Sequence, residues 1–522
     1  MLDGDESRSM TSDEFQQLQS RLPSLWHSFD AQIDSDCDIL VIPSLSLDRG
    51  ELLKVEGCIH YEERLLFSLM RLSNPRTRVI YVTSVPLAPI AIDYYLQLLP
   101  GIPFSHARER LLLFSTDDYS LQALSQKILD RPRLLDRIRQ SLRPDRSVMM
   151  CYNSTAIERD LALKLDIPLY ALDPDLLYWG TKAGSRQIFA ECGLPHPDGS
   201  ELVYSDLDLA QVTADLWARQ PHLKRLVVKL NEGFSGEGNA ILDLRPLGDP
   251  SSHSERIQAI CQAFPQMSFQ GHRETWTNFQ GKIGHLGAIV EAFIEGEGKQ
   301  SPSVQGCITP MGTVEILSTH DQILGGCDGQ IFLGCQFPAA AGYRLQLQEL
   351  GLEIGKNLAS KGAIERFAVD FIAVPNNEGK WDLQAIEINL RKGGTTHPFM
   401  MLKFLTNGDY QMDDGLFYSQ QRTPKYYVAS DNLHRPEYRG LLPNDLMDII
   451  AHHRLHFDTS TETGTVFHLL GCLSEFGKVG LTSIGNSMAE AQAIYNKVEE
   501  VLDLETQIVN TRSLLPISWK CR

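Results

Sequence analysis

The chain has 522 residues, 43% apolar and 22% charged, the texture of a soluble globular protein with room for roughly three to four domains at ~150 residues each. Its 48 basic and 66 acidic side chains leave a net charge of −18, which repels phosphate backbones and anionic lipid and argues against nucleic acid and membrane as partners. Ten scattered cysteines form no CxxC pair, no run of about 18 apolar residues occurs, and the acidic N-terminus lacks a signal pattern, so the expectation is a cytoplasmic protein with reduced thiols.

Residues 1–35 read as a polar lead-in. From 36 to 175 short apolar runs alternate with helical periodicity. CDILVIPS (37–44), TRVIYVTS (77–84), RLLLFST (110–116) and SVMMCYN (147–153) read as strands; YEERLLFSLMRL (61–72) and IAIDYYLQLL (90–99) read as helices. This alternation predicts a mostly parallel sheet covered on both faces. No GxGxxG follows the first strand, so this layer is not read as a dinucleotide site. Near 180 the texture changes. Thr181 can cap a helix that Gly193 ends. From 225 to 400 glycine-punctuated strands dominate around one helix, 344–360. Residues 420–522 mix strands (GTVFHLLGCL, KVGLTSIG) with an amphipathic helix, SMAEAQAIYNKVEEVLDLE. The predicted organisation is an N-terminal α/β domain (36–175), a central α+β domain (176–419) and a small C-terminal α+β domain (420–522).

Three stretches carry chemistry. In RLVVKLNEGFSGEGNAILDL (225–244), Lys229 lies in an apolar strand followed by a loop with Gly233, Ser235 and Gly236. A buried cation needs an anionic partner, and glycine-loop amides can cradle phosphate oxygens. A hairpin with a permissive turn and a snorkelling lysine is the plain alternative. In RFAVDFIAVPNNEGKWDLQAIEINLR (366–391), two alternating runs flank a turn. Pairing residue 374 with 383 sets Asp370 opposite Glu387, and Asn389 and Arg391 follow on the same face. Facing carboxylates are unfavourable without a positive charge between them, and magnesium favours oxygen ligands. GAIVEAFIEGEG (287–298) is a strand entering an acidic glycine loop between the other two.

Taken in this order, the stretches resemble the ATP-grasp superfamily of ATP-dependent carboxylate–amine ligases over about 180–400. EINLRKGGTTHPF (387–399) and YVASDNLHRPEYRGLLP (427–443) narrow the likeness to the pheganomycin-type peptide ligases. The resemblance implies a pre-ATP-grasp α/β domain, an ATP-grasp domain and a C-terminal α+β domain. It implies ATP with Mg2+, or Mn2+ in its place. Lys182 and Lys229 would hold the α- and β-phosphates, under a lid formed by 231–239. Glu291 with the backbone of Phe293 and Ile294 would hold adenine, Glu297 the ribose, and Asp370, Glu387 and Asn389 the metal. A solvated first-turn lysine is the alternative for Lys182.

Thr396 can cap a helix with His397 and Pro398 in its first turn, and the free amides there suit an anion. Thr395, Thr396 and His397 are substrate-contact candidates, with capping alone as the plain alternative and a mere first-turn place as the alternative for His397; Arg391 is a further candidate, for the substrate and for stabilising phosphoryl oxygens or an oxyanion. The predicted reaction is ligation of a small carboxylate to an amine or peptide through an acyl phosphate; a kinase or a nucleotide-binding regulator are the rivals. A homo-oligomer is allowed. His452, His453 and His456 fit a surface helix, and His320 and Cys335 receive no role.

Overall fold

The computed structural model describes residues 12–29, 36–47, 49–233, 238–248, 250–271, 274–325 and 331–513. Strands β1 (Cys37–Ile42), β2 (Thr77–Thr83), β3 (Leu111–Ser115) and β4 (Ser147–Cys151) pair in parallel in the order β3-β2-β1-β4. Every residue of β1 and β4 is buried, as continuous apolar runs require of a sheet covered on both faces. The strand order reverses beside β1, and the crevice at the carboxyl ends of β1 and β4 is where such sheets receive ligands. The 61–72 stretch is helical but wound as a 3₁₀ helix, Cys58–Ser73, that buries Glu62, Glu63 and Arg64 along with its apolar residues.

The next sheet is antiparallel: β5 (Arg225–Leu230), β6 (Asn239–Asp243), β7 (Ser268–Phe269) and β8 (Ala288–Ala292), in the order β7-β6-β5-β8. Leu226, Val228 and Leu230 join a core with the helices Asp206–Arg219, His253–Ala263 and Trp276–Leu286. Successive strand residues face opposite ways, so Val227 and Lys229 are left on the other face.

The third sheet has ten strands: β9 (Pro302–Ile308), β10 (Val314–Gly325), β11 (Ile331–Phe337), β12 (Glu365–Pro375), β13 (Trp381–Asn389), β14 (Asp409–Gln411), β15 (Leu416–Tyr418), β16 (Pro424–His434), β17 (Gly464–His468) and β18 (Lys478–Gly485). Its main path runs β13-β12-β9-β10-β11-β16-β15-β14, with β18 on β16 and β17 on β18. The strands after residue 420 thus continue the sheet of the central segment. One core cluster contains Leu65, Tyr95 and Val148 from the first segment beside Phe399, Tyr427 and Leu481. The predicted strand GTVFHLLGCL is cut at His468, because Leu469 turns into the left-handed region (φ 55°) and the helix Cys472–Phe476 follows. Among the described residues no helix is long and apolar enough to cross a membrane.

His320 on β10 is fully buried, and its Nε2 lies 2.6 Å from the Tyr427 hydroxyl. Burial pushes its pKa down to about 3. The folded protein keeps this imidazole neutral while the unfolded chain takes up a proton below about 6.5, so stability is lost as pH falls through that value. Between pH 7 and pH 5 His320 contributes a loss of about 2 kcal/mol. Urea unfolding of His320→Gln at the two pH values is expected to show that much less acid sensitivity than wild type.

Candidate active site

A cleft of about 480 Å³, within the usual range of small-molecule sites, is lined from the second and third sheets and, in the first segment, by residues that include Tyr61, Arg64 and Tyr152. Its floor is the β12–β13 hairpin. β12 alternates cleanly: Phe367, Val369 and Phe371 enter the core, while Arg366, Ala368 and Asp370 line the cleft. β13 does not alternate throughout. Val374 pairs with Asp382, one residue off the expected 374–383 pairing, yet Asp370 still stands opposite Glu387. The register shifts between Asp370 and Phe371, leaving Ile386 as the extra residue of a β-bulge. Leu383 and Ala385 point into the core before the bulge and Ile388 after it. The bulge therefore turns Glu387 and Asn389 to the cleft; in a regular strand Glu387 would share the inward face of Leu383 and Ala385.

Around this pair, Gln322 Nε2 donates to Asp370 Oδ1 at 2.7 Å and Asn389 Nδ2 to Asp370 Oδ2 at 3.1 Å. Lys182 Nζ lies 2.9 Å from Glu387 Oε1 and 3.4 Å from the Gly233 carbonyl. Burial pushes the Asp370 carboxyl up to about 7, and the nearby Glu387 adds to the rise against the opposing pull of Gln322, Arg391 and Lys182. Two carboxylates and a carboxamide, one acid reluctant to ionise alone, make an oxygen set that fits a hard divalent cation. Three protein ligands leave positions for phosphate and water, as magnesium requires.

On the facing wall, Glu291 of β8 is 2% exposed and sits between two cations. Lys229 Nζ is 2.5 Å from its Oε2 and Arg186 Nη1 2.8 Å from its Oε1. Burial alone would raise this carboxyl, but Lys229 and Arg186 overcome it and hold it below the usual range. Glu291 lines the cleft and, with one ion pair on each oxygen, orients Lys229 within it. Phe293 and Ile294 line the cleft, and the Phe293 amide donates to the Arg225 carbonyl at 3.2 Å. Glu297 is exposed and outside the lining, because the chain leaves the cleft after Ile294. Gly233 lies beside Lys182, whereas Ser235 and Gly236 fall outside the described residues.

Arg391, Thr395 and Thr396 line the cleft. Thr396 is the first residue of the helix Thr396–Thr406 instead of its cap, and its hydroxyl accepts from the Gly393 amide at 3.0 Å. Gly394 is required by close approach: a Cβ there would meet the Phe332 ring at 2.7 Å. His397 does not reach the main cleft. It is buried behind the loop, 2.6 Å from the Tyr95 hydroxyl and stacked on His468 with centroids 4.1 Å apart. Arg186, Gln322, Arg366, Arg64, Asp431 and Lys478 were not singled out by the sequence. Arg366 had a usable signal, since it precedes Asp370 by four residues on one strand face. The others come from distant segments and carry no local pattern.

The fold and the site are similar to those of an ATP-grasp domain. Residues 176–258 and 251–413 match the IQCH-like ATP-grasp family, and residues 445–498 match the PGM1 C-terminal domain. The chain is 29% identical over 454 residues to L-propargylglycine–L-glutamate ligase of Streptantibioticus cattleyicolor, covering 84% of this chain and 88% of that protein. It is 22% identical over 447 residues to IQ motif-containing protein H of Danio rerio, covering 77% of this chain and 42% of that longer protein. Among solved structures, a biotin carboxylase–βγ-ATP complex from Campylobacter jejuni aligns with TM-score 0.53 at 11% identity, over 88% of this chain and 90% of that one. The biotin carboxylase domain of Hydrogenobacter thermophilus 2-oxoglutarate carboxylase, in complex with MgADP and bicarbonate, aligns with TM-score 0.50 at 12% identity over 86% of each chain. At such identities the structural matches speak for the fold.

A cation entering the Asp370–Glu387 site competes with the proton that Asp370 holds up to about pH 7. The Mg2+ concentration that half-saturates binding of a fluorescent ATP analogue is expected to rise about tenfold per pH unit below 7. Asp370→Asn should weaken binding and flatten that slope.

Proposed function

We propose that this chain is an ATP- and magnesium-dependent ligase that joins a carboxylate to an amine, forming a peptide bond and releasing ADP and phosphate. The observation that carries this reading is the gathering of Asp370, Glu387 and Asn389 across a cleft from Lys229, with Lys182 bridging to Glu387. The name of the bacterial relative describes ligation of two amino acids, which supports amino acids as the substrate class. The reading divides the chain into 36–175, 176–419 and 420–522 and places it in the cytoplasm.

A carboxylate is a poor electrophile in water. One of its oxygens attacks the γ-phosphorus of ATP, the bond to the β-phosphate oxygen breaks, and ADP leaves. The acyl phosphate then offers an activated carbon to the amine. A C–N bond forms, inorganic phosphate departs with the C–O electron pair, and the amine proton passes to phosphate or water. Lys182 and Lys229 bind the α- and β-phosphates and offset charge as it moves onto ADP. Phe293 and Ile294 present the backbone edge for adenine. Arg391, next to the metal-binding strand, neutralises the transferring phosphoryl oxygens and then the tetrahedral oxyanion. Asp370, Glu387 and Asn389 would hold magnesium, which when bound would supply charge neutralisation on the phosphates. Thr395 and Thr396, at the start of their helix, hold the substrate carboxylate. Enclosure of the cleft protects the acyl phosphate from hydrolysis.

Glu387→Ala is expected to abolish ADP release. Mass spectrometry of wild type with ATP, Mg2+ and pooled amino acids should find a product lighter by one water than its summed reactants. Wild-type turnover in the variant would refute the metal assignment, and a phosphorylated product formed without an amine would mark a kinase instead.

A further inference from the structure

Past the Asp370–Glu387 pair, the floor of the cleft carries polar groups that the phosphate and metal roles do not use. On β9, Val304 enters the core while Ser303 and Gln305 line the cleft. Gln305 is 4% exposed and Ser303 3%. Among the described residues the Gln305 carboxamide and the Ser303 hydroxyl have no hydrogen-bond partner, and their polar atoms are not sealed off but keep the small exposure that remains. A carboxamide buried to this degree is unfavourable unless something in the cleft meets its donor and its acceptor.

Strand pairing places Gln305 along the cleft. Next to β12 the rows run Gln300 with Ala373, Ser303 with Asp370, Gln305 with Ala368 and Cys307 with Arg366. The first row adjoins the turn after Ile294, where a Cβ on Gly296 would meet the Val374 side chain at 2.5 Å. The Phe293–Ile294 edge, offered to adenine, therefore lies at one end, the Asp370 row in the middle, and Gln305 about 7 Å further along the strand. Base, polyphosphate and acid must follow in that order, because the acid attacks the terminal phosphorus, so Gln305 belongs to the acid's end. Across the sheet its row reads Asn389, Ala368, Gln305 and Ser318, all neutral. Acidic Asp370 stands on one side of this row and basic Arg366 on the other, so neither a second carboxylate nor an ammonium is favoured there. A neutral group with one donor and one acceptor is, and a carboxamide answers the Gln305 fork with two hydrogen bonds. The small Ala368 side chain keeps the floor low between Gln305 and Asn389, two strand spacings or about 9.5 Å apart.

We propose that Gln305, with the Ser303 hydroxyl beside it, selects an acid substrate that carries a carboxamide near its reacting carboxylate: a side-chain amide or an acylated α-amine. This rests on the ligase reading and narrows what its acid can be. Gln305 is a specificity residue that binds the amide and takes no part in the transfer of phosphoryl or acyl groups.

The test is a competition in one vessel. Wild type receives ATP, Mg2+, the common amino acids and their N-acetyl forms, which can act only as acids. Tandem mass spectrometry identifies the acid half of each coupled product. Acids that carry an amide (asparagine, glutamine and the N-acetyl forms) are counted against those that do not, each relative to the amount supplied. Amide-bearing acids are expected to dominate by about tenfold or more, the scale of one or two well-made hydrogen bonds in a site built for them. Gln305→Met, close in size but without the donor and acceptor, should bring the ratio towards one. A purely structural role lowers both product classes together and leaves the ratio unmoved, which overturns the subsite. A wild-type ratio near one also overturns it while the ligase reading stands, and wild type alone suffices for that arm if the variant does not fold. No coupled product from any acid overturns the ligase reading and the subsite with it.

Discussion

Two carboxylates held face to face on one hairpin repel each other, and much of the cleft is arranged around that repulsion. Asp370 and Glu387 are kept together by Gln322, Asn389 and Lys182, and the incomplete compensation shows in the raised Asp370 carboxyl. A site that is uncomfortable when empty of positive charge has strong reason to take up a cation that arrives with a polyphosphate. The opposite wall is built the other way round: Glu291 is over-supplied with cations, so it stays ionised and fixes Lys229 in place. One wall is short of positive charge and the other holds it rigidly, an arrangement that suits the proposed metal–triphosphate.

Lys182 ties these halves together. It begins a helix, approaches the glycine loop through the Gly233 carbonyl, and reaches across to Glu387. A single flexible ammonium thus touches both the loop after β5 and the strand that bears Glu387. In the proposed ligase it would exchange the Glu387 carboxylate for phosphate oxygens.

Much of this was legible in the sequence, for a physical reason. Strand faces repeat every two residues, so the alternation of RFAVDFIAV and the spacing of Glu387 and Asn389 announce a face with oxygen donors. The parallel N-terminal sheet was legible because a sheet covered on both sides needs unbroken apolar runs. The bulge at Ile386 was not legible, since nothing in Ala385-Ile386-Glu387 distinguishes an extra residue from a paired one. The opposition of Asp370 and Glu387 survived a pairing assumption that was off by one only because the bulge restored it. His397 looked available from its place in a helix's first turn, but tertiary packing against Tyr95 and His468 covers it. Glu297 shows the converse: acidic residues crowd 295–297, and local pattern cannot say which of them the chain turns away from the cleft.

The tail of the chain, β16 to β18, extends the central sheet, and its apolar side chains share one core with the first segment. The two extremities therefore stand as a joint wall of the cleft, with Arg64 gripping Asp431 across 367 positions of sequence. A chimaera that traded either extremity for a relative's would split that wall between two ancestries. Change in what the enzyme accepts then has to come through matched alterations at both extremities, which makes selectivity a slowly drifting trait even where the phosphate-handling centre is left untouched.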